Sequence, residues 1–255
     1  MPAANKTSPT RALGPPCVIA YLGSSSTAGK GQAFNWIEAL QKRLGQERFV
    51  LRNFGVGGDL AYNAVQRLPN VIGSNPGKIV VLIGANDVLA LVSAKVRKFY
   101  RVTKGLPRDP SPEWFRANLH AIAQGIRKST SADLALCSLA PLGEDLDSMN
   151  PFQRELNLQI RSFSTIIQEV AAEENVDYIG VYEAFVAQMK DAQRRAFSEF
   201  RFLPFYRDAF RTVVLRKSPD EVSRMNGWVF HTDGVHLNSR GGLIIADLVG
   251  NFLEK

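Results

Sequence analysis

Five short apolar runs, spaced widely enough for helices to join them, constrain this 255-residue chain more than any other feature. They are Cys17–Leu22, Phe49–Asn53, Lys78–Ile83, Leu134–Leu139 and Val176–Val181. A run that is apolar at successive positions buries both faces of a strand, the mark of a parallel sheet covered on both sides. The segments between the runs have helical spacing. Phe34, Ile37, Leu40 and Leu44 recur at intervals of three and four, as do Ile160, Phe163, Ile167 and Val170. Strands alternating with helices predict a doubly wound α/β sandwich around a five-stranded parallel sheet of flavodoxin-like order, 2-1-3-4-5.

One domain over residues 17–255 is expected, preceded by a flexible tail over 1–16. The tail holds four prolines, Lys6 and Arg11 and lacks the apolar core of a secretion signal. Apolar residues make up 45% and charged residues 22% of the chain, as in soluble globular proteins. No stretch approaches the roughly 20 apolar residues of a membrane-spanning helix. Cys17 and Cys137 fall in strand-like runs and read as buried free thiols, so a cytoplasmic location is the expectation. The pattern loosens over about 185–225, a basic and aromatic helical segment read as an insertion. Residues 190–217 hold eight lysines and arginines against three carboxylates, five of the seven net positive charges. Three roles stay open for it: a cap over a crevice, an interface for another copy of the chain or an anionic surface, and a solvated decoration. Nothing there resembles a nucleic-acid recognition motif.

In doubly wound sheets, ligands bind outside the carboxyl ends of the strands. Three turns fall there: Gly23-Ser-Ser-Ser-Thr-Ala-Gly29, Asn53-Phe-Gly-Val-Gly-Gly58 and Gly84-Ala-Asn-Asp87. In the expected order they are neighbours, so a hydroxyl, a glycine N–H and a carboxamide converge. A fourth element, Asp233-Gly-Val-His236, precedes the last helix, for which Ser239 reads as the N-cap. An Asp three residues before a His can hold the imidazole in one tautomer. Together these groups supply what acyl transfer requires: a hydroxyl, a base, and donors for an oxyanion. The backbone N–H groups of Ser25 and Gly58 and the Asn86 amide would be those donors.

In their order, the four blocks resemble the SGNH (GDSL) hydrolase family. Gly23-Ser-Ser-Ser-Thr-Ala-Gly29 is similar to the family's Gly-Asp-Ser-x-Thr-x-Gly, Asn53-x-Gly-x-x-Gly58 to its second block, Gly84-Ala-Asn86-Asp87 to its third, and Asp233-x-x-His236 to its last. Cys137-Ser-Leu-Ala-Pro-Leu-Gly143 also looks like family members. The resemblance implies a three-layer α/β/α fold and a serine esterase without a cofactor. Ser25, Asp233 and His236 would be the triad, and Ser25, Gly58 and Asn86 the oxyanion hole. The substrate would be a small-molecule ester with a short acyl chain; a thioesterase, an acyltransferase and a silent binding module are the alternatives. Two departures stand out: Ser24 occupies the place of the family's Asp, and Leu237 that of a frequent proline. Among three consecutive serines, Ser25 is the one that aligns Thr27 and Gly29.

Single features have bland readings. Gly58 suits a turn of positive φ, Asp87 a helix cap, His231 a loop or core position and His120 a structural one. A phosphate loop is excluded: five residues separate Gly23 from Gly29 where four are needed, and Gly31 stands where Ser or Thr would bind magnesium. Gly55-Val-Gly-Gly58 lacks dinucleotide-binding spacing, and no Cys/His cluster has zinc-ligand spacing.

Overall fold

The structure is a computed structural model that describes residues 15–45, 47–189, 195–197 and 202–255. Most of the expected tail and part of the segment over 185–225 therefore lie outside the described residues. Five parallel strands form one sheet: β1 (Cys17–Gly23), β2 (Phe49–Gly55), β3 (Lys78–Leu82), β4 (Asp133–Cys137) and β5 (Asp177–Ile179). Their order is β2-β1-β3-β4-β5, the expected one.

Side chains alternate along each strand, so each feeds two cores. Ala20, Leu22, Ile79, Val81, Leu134 and Leu136 face one layer of helices. Its members are α3 (Ala61–Gln66), α4 (Leu68–Ile72), α5 (Ala85–Val92), α7 (Pro112–Ser129) and α8 (Pro151–Glu173). Ile19, Tyr21, Val80, Leu82, Ala135 and Cys137 face the other. There they pack on α2 (Trp36–Leu44), α9 (Val181–Met189) and α12 (Ser239–Leu253). The three layers bury both faces of every central strand, which is why those runs are apolar throughout. A four-residue helix α1 (Ser25–Ala28) follows β1; α6 (Ala94–Thr103), α10 (Phe202–Val213) and α11 (Pro219–Asn226) lie around the strand ends.

Local chemistry sets the helix starts. Asn35, Ser111 and Asn150 accept from N–H groups in the first turns of α2, α7 and α8. At α12 the cap is Asn238, not the expected Ser239; its Oδ1 accepts from the Gly241 N–H at 3.1 Å, and Ser239 is the first helical residue. An amide with an oxygen one residue earlier meets the orphan N–H, while its nitrogen stays free to bond Ser223 and Val229. Cys17 and Cys137 are free thiols within β1 and β4. No helix among the described residues is long and apolar enough to cross a membrane.

Close packing of α1 against the end of β2 depends on Gly55, where a Cβ would lie 2.2 Å from the Ala28 nitrogen. Gly55→Ala should therefore destabilise the protein by about 1–3 kcal/mol, because α1 must be pushed off the strand. Urea denaturation checks this; an unchanged midpoint would show that α1 yields freely.

Candidate active site

β1 lies between β2 and β3, and its last residue, Gly23, is in register with Gly55 and Leu82. The three turns therefore emerge side by side. Ser25 opens α1, Gly58 lies in the turn after β2, and Asn86 is the second residue of α5. Together with His236 they line one cavity of about 440 Å³. Ser24 and Ser26 face a separate void of about 30 Å³, bounded by Leu82, Leu139 and Ile245. Of three adjacent serines, Ser25 is the one that lines the cavity with His236.

Two sides of that cavity come from α6 and α10, through Phe99, Tyr100, Phe202, Phe205 and Tyr206. Gln32 anchors α10 there, donating from Nε2 to the Phe205 carbonyl at 2.8 Å. The Phe205 ring centre lies 5.7 Å from that of His236. Gly58 has φ +77°, a conformation that favours glycine, and a Cβ on it would also press on Lys104 Cε at 2.8 Å.

Asp233 and His236 form a self-contained unit. Asp233 Oδ1 accepts from the backbone N–H groups of Val235 at 2.9 Å and His236 at 2.8 Å, and Oδ2 lies 2.8 Å from His236 Nδ1. That contact places the proton on Nδ1 and leaves Nε2 as the basic nitrogen. Burial pushes the Asp233 carboxyl up, but the imidazole and the two N–H groups outweigh it and hold the group below its usual range. Burial likewise pushes His236 down, and the Asp233 carboxylate reverses this to leave it above the ordinary imidazole value.

His231 is a core histidine that builds the loop. His231 pairs with Leu237 in an isolated antiparallel bridge, and the Thr232 N–H donates to the His236 carbonyl at 2.7 Å. Beneath it lies Glu144, fully buried. Its carboxylate accepts from the N–H groups of Val229, Phe230 and His231, three consecutive residues, and contacts His231 Nδ1 at 2.9 Å. Burial raises the Glu144 carboxyl, but these partners pull it below its ordinary value. His231 Nε2 sits 2.9 Å from the Pro141 carbonyl. Both ring nitrogens face acceptors within the core, and neither is turned to the cavity. His120, on α7, lies between Glu173 and Glu174 away from the cavity.

Asn86 has its amide orientation fixed. Tyr100 donates its hydroxyl to Asn86 Oδ1 at 2.8 Å, and Nδ2 donates to the Asp59 carbonyl at 2.9 Å. A flipped amide would set oxygen against the Asp59 carbonyl. One Nδ2 hydrogen remains for the cavity. The Asp59 carboxylate takes Arg67 Nε at 2.8 Å and Lys104 Nζ at 2.9 Å, and Lys104 also reaches the Gly57 carbonyl at 2.5 Å. Asp87 caps a helix other than its own: Oδ2 accepts from the Ala61 N–H at the start of α3, at 3.1 Å. Among the described residues, no group of three or more His, Cys, Asp or Glu could hold a metal ion.

Tyr100, Asp59, Arg67, Lys104 and Glu144 escape a reading of the sequence. None stands in a motif, and each meets its partner only after the chain has folded. The one usable cue is an acid and a base close to a glycine turn, as Asp59 and Arg67 are.

A model of the GDSL-like lipase/acylhydrolase family matches residues 21–242 of this chain. No curated protein matches the sequence. Among solved structures, the acetyl xylan esterase AlAXEase superposes with a TM-score of 0.63 at 20% identity, covering 92% of this chain and 99% of that one. LAE5, an alpha/beta hydrolase enzyme from the metagenome of Lake Arreo, gives a TM-score of 0.61 at 16% identity over 92% and 94% of the two chains. Axe2, an acetylxylan esterase from Geobacillus stearothermophilus, gives 0.60 at 15% over 93% and 94%. At these identities the likeness is one of fold.

Burial raises the Asp87 carboxyl from its ordinary value to about 7. Between about pH 4 and 7 the unfolded chain gives up this proton while the folded one keeps it, so the group costs stability as pH rises and levels off above 7. Asp87→Asn keeps an acceptor for Ala61 and removes the ionisation. The variant should gain on wild type by on the order of 2 kcal/mol more at pH 8 than at pH 5. Urea denaturation at the two values decides; an equal difference at both would refute the buried ionisation.

Proposed function

The chain belongs to the GDSL-like lipase/acylhydrolase family, and on that premise we propose that it hydrolyses carboxylic esters by two-step acyl transfer through Ser25. The observation that carries this reading is the shared cavity of Ser25 and His236, with the His236 ring held by Asp233 at 2.8 Å. In the proposed sequence His236 Nε2 takes the Ser25 proton as the oxygen attacks the ester carbonyl. The oxyanion is received by the Ser25 and Gly58 N–H groups and the unengaged Nδ2 hydrogen of Asn86. At the first position of α1, the Ser25 N–H has no intrahelical acceptor to lose. Protonated His236, stabilised by Asp233, then gives its proton to the departing alcohol. Water repeats the steps in reverse and frees the acid. Each step falls to a group of this chain, and no cofactor enters.

The acyl group proposed is short, in keeping with the acetyl esters named for two of the similar structures. A second reading, that of a longer apolar group, is favoured by the cavity itself: about 440 Å³, walled by Leu89, Val96, Phe99, Phe202 and Phe205. A p-nitrophenyl ester series of increasing chain length separates the two by where kcat/KM peaks. Applied to Ser24→Ala, Ser25→Ala and Ser26→Ala, the same assay should lose activity only in Ser25→Ala, together with fluorophosphonate labelling. Activity surviving there, or no labelling of wild type, would sink the proposal.

Tyr100 has a positioning role under this reading. Tyr100→Phe keeps the ring in the cavity wall and removes only the hydroxyl on Asn86, so kcat should fall about three- to ten-fold with KM held within about two-fold. Asn86→Ala should cost about 10²–10³ in kcat. A KM effect without a kcat effect would make Tyr100 a wall residue only.

A further inference from the structure

The outer side of α10 carries an apolar stripe that the ester chemistry does not use. Leu203, Phe210 and Val213 recur at helical spacing along one side. Their exposures are 81%, 52% and 67%, and Val214 and Leu215 extend the stripe past the helix end. On α6, Val102 is also exposed, one turn beyond Phe99, whose ring lies 5.3 Å from that of Phe202. Monomeric proteins seldom leave so continuous an apolar face in water unless something covers it.

Charge identifies what covers it. The one carboxylate of α10, Asp208, points inward and is buried with Arg211 and Asn226. Arg207, like Arg211, pairs with Asp208, which leaves Arg216 and Lys217 beside the stripe; residues 202–217 carry four cationic side chains against that single acid. A second copy meeting this face by two-fold symmetry would set these cations against their own counterparts. An apolar stripe with a net basic rim fits an interface of acyl chains and anionic headgroups.

We propose that this face of α10 seats on an anionic lipid surface, with Leu203, Phe210 and Val213 in the acyl boundary and Arg216 and Lys217 among headgroup phosphates. The adjoining side of the helix lines the cavity through Phe202 and Phe205. Asn226 donates from Nδ2 both to Asp208 at 2.8 Å and to the Thr232 carbonyl at 2.9 Å, which ties the seated helix to the loop of His236. Docking so placed brings the cavity mouth to the surface that would deliver an apolar ester.

The test is flotation of the full chain with phosphatidylcholine vesicles, alone or containing phosphatidylglycerol, alongside light scattering. Wild type and Ser25→Ala should float alike with the anionic vesicles and stay behind with the neutral ones, which separates docking from ester hydrolysis. The double variant Leu203→Ser/Phe210→Ser, and separately Arg216→Ala/Lys217→Ala, should lose about ten-fold or more in partitioning. Their circular dichroism should be that of wild type. Raised salt should weaken binding of the wild type. Equal flotation with both vesicle types, no flotation at all, or unchanged flotation of both double variants would overturn the proposal. So would a wild-type dimer that fails to float and that Leu203→Ser/Phe210→Ser dissociates, since a second copy would then be the occupant.

Discussion

A single guanidinium gathers the strand ends on which everything else rests. Arg67 donates to the carbonyls of Gly23 and Phe54 and to the Asp59 carboxylate, so the last residues of β1 and β2 and the turn beyond them share one cation. Lys104 closes the same carboxylate from α6 and takes the Gly57 carbonyl as well. Both cations and the acid are largely buried. In such surroundings a missing partner costs far more than the pair itself contributes. The Asp59 carbonyl then orients Asn86, and Tyr100 completes it from the other side. The turn geometry, the amide direction and the cavity wall are thus one connected set of polar contacts under an apolar roof.

The fold was legible because its causes are local or repetitive. Apolar runs such as Lys78–Ile83 announce buried strands, and the spacing of Ile160, Phe163 and Ile167 announces a helix; both readings match β3 and α8. The candidate site was legible where a residue type and a strand end coincide, as at Ser25, Gly58, Asn86, Asp233 and His236, all of which stand at the cavity or directly behind it. What escaped was everything that depends on contact between distant segments. Glu144 reads as one more acid in a loop until β4 brings it under Val229–His231. Tyr100 reads as an aromatic on a basic amphipathic helix until α6 folds over Asn86. Asp87 was legible as a cap but not as the cap of α3, since nothing local says whose N–H it meets. Ser239 and Asn238 show the reverse limit: both are good caps, and one residue of register separates them.

The two histidines of the last loop show how environment divides one residue type. His231 meets an acceptor at each nitrogen and is committed to holding the loop closed. His236 meets one carboxylate at Nδ1 and keeps Nε2 on the cavity side. Their chemistry follows from the second nitrogen, not from the first.

The Glu144–His231 contact also divides the chain in time. Ser25, Gly58 and Asn86 all lie in the first half of the sequence, and the sheet between β1 and β4 needs nothing beyond Cys137 to pair. Glu144 meets His231 across 87 residues of chain. Closing so long a loop carries an entropic cost that short-range elements do not bear. During synthesis strands β1 to β4 and the nucleophile-bearing turn all precede the base, the last of them, Cys137, by 99 residues. A nascent chain can hold the hydroxyl in place well before it contains the imidazole, and its Glu144 lacks the N–H donors of Val229, Phe230 and His231 until that loop emerges.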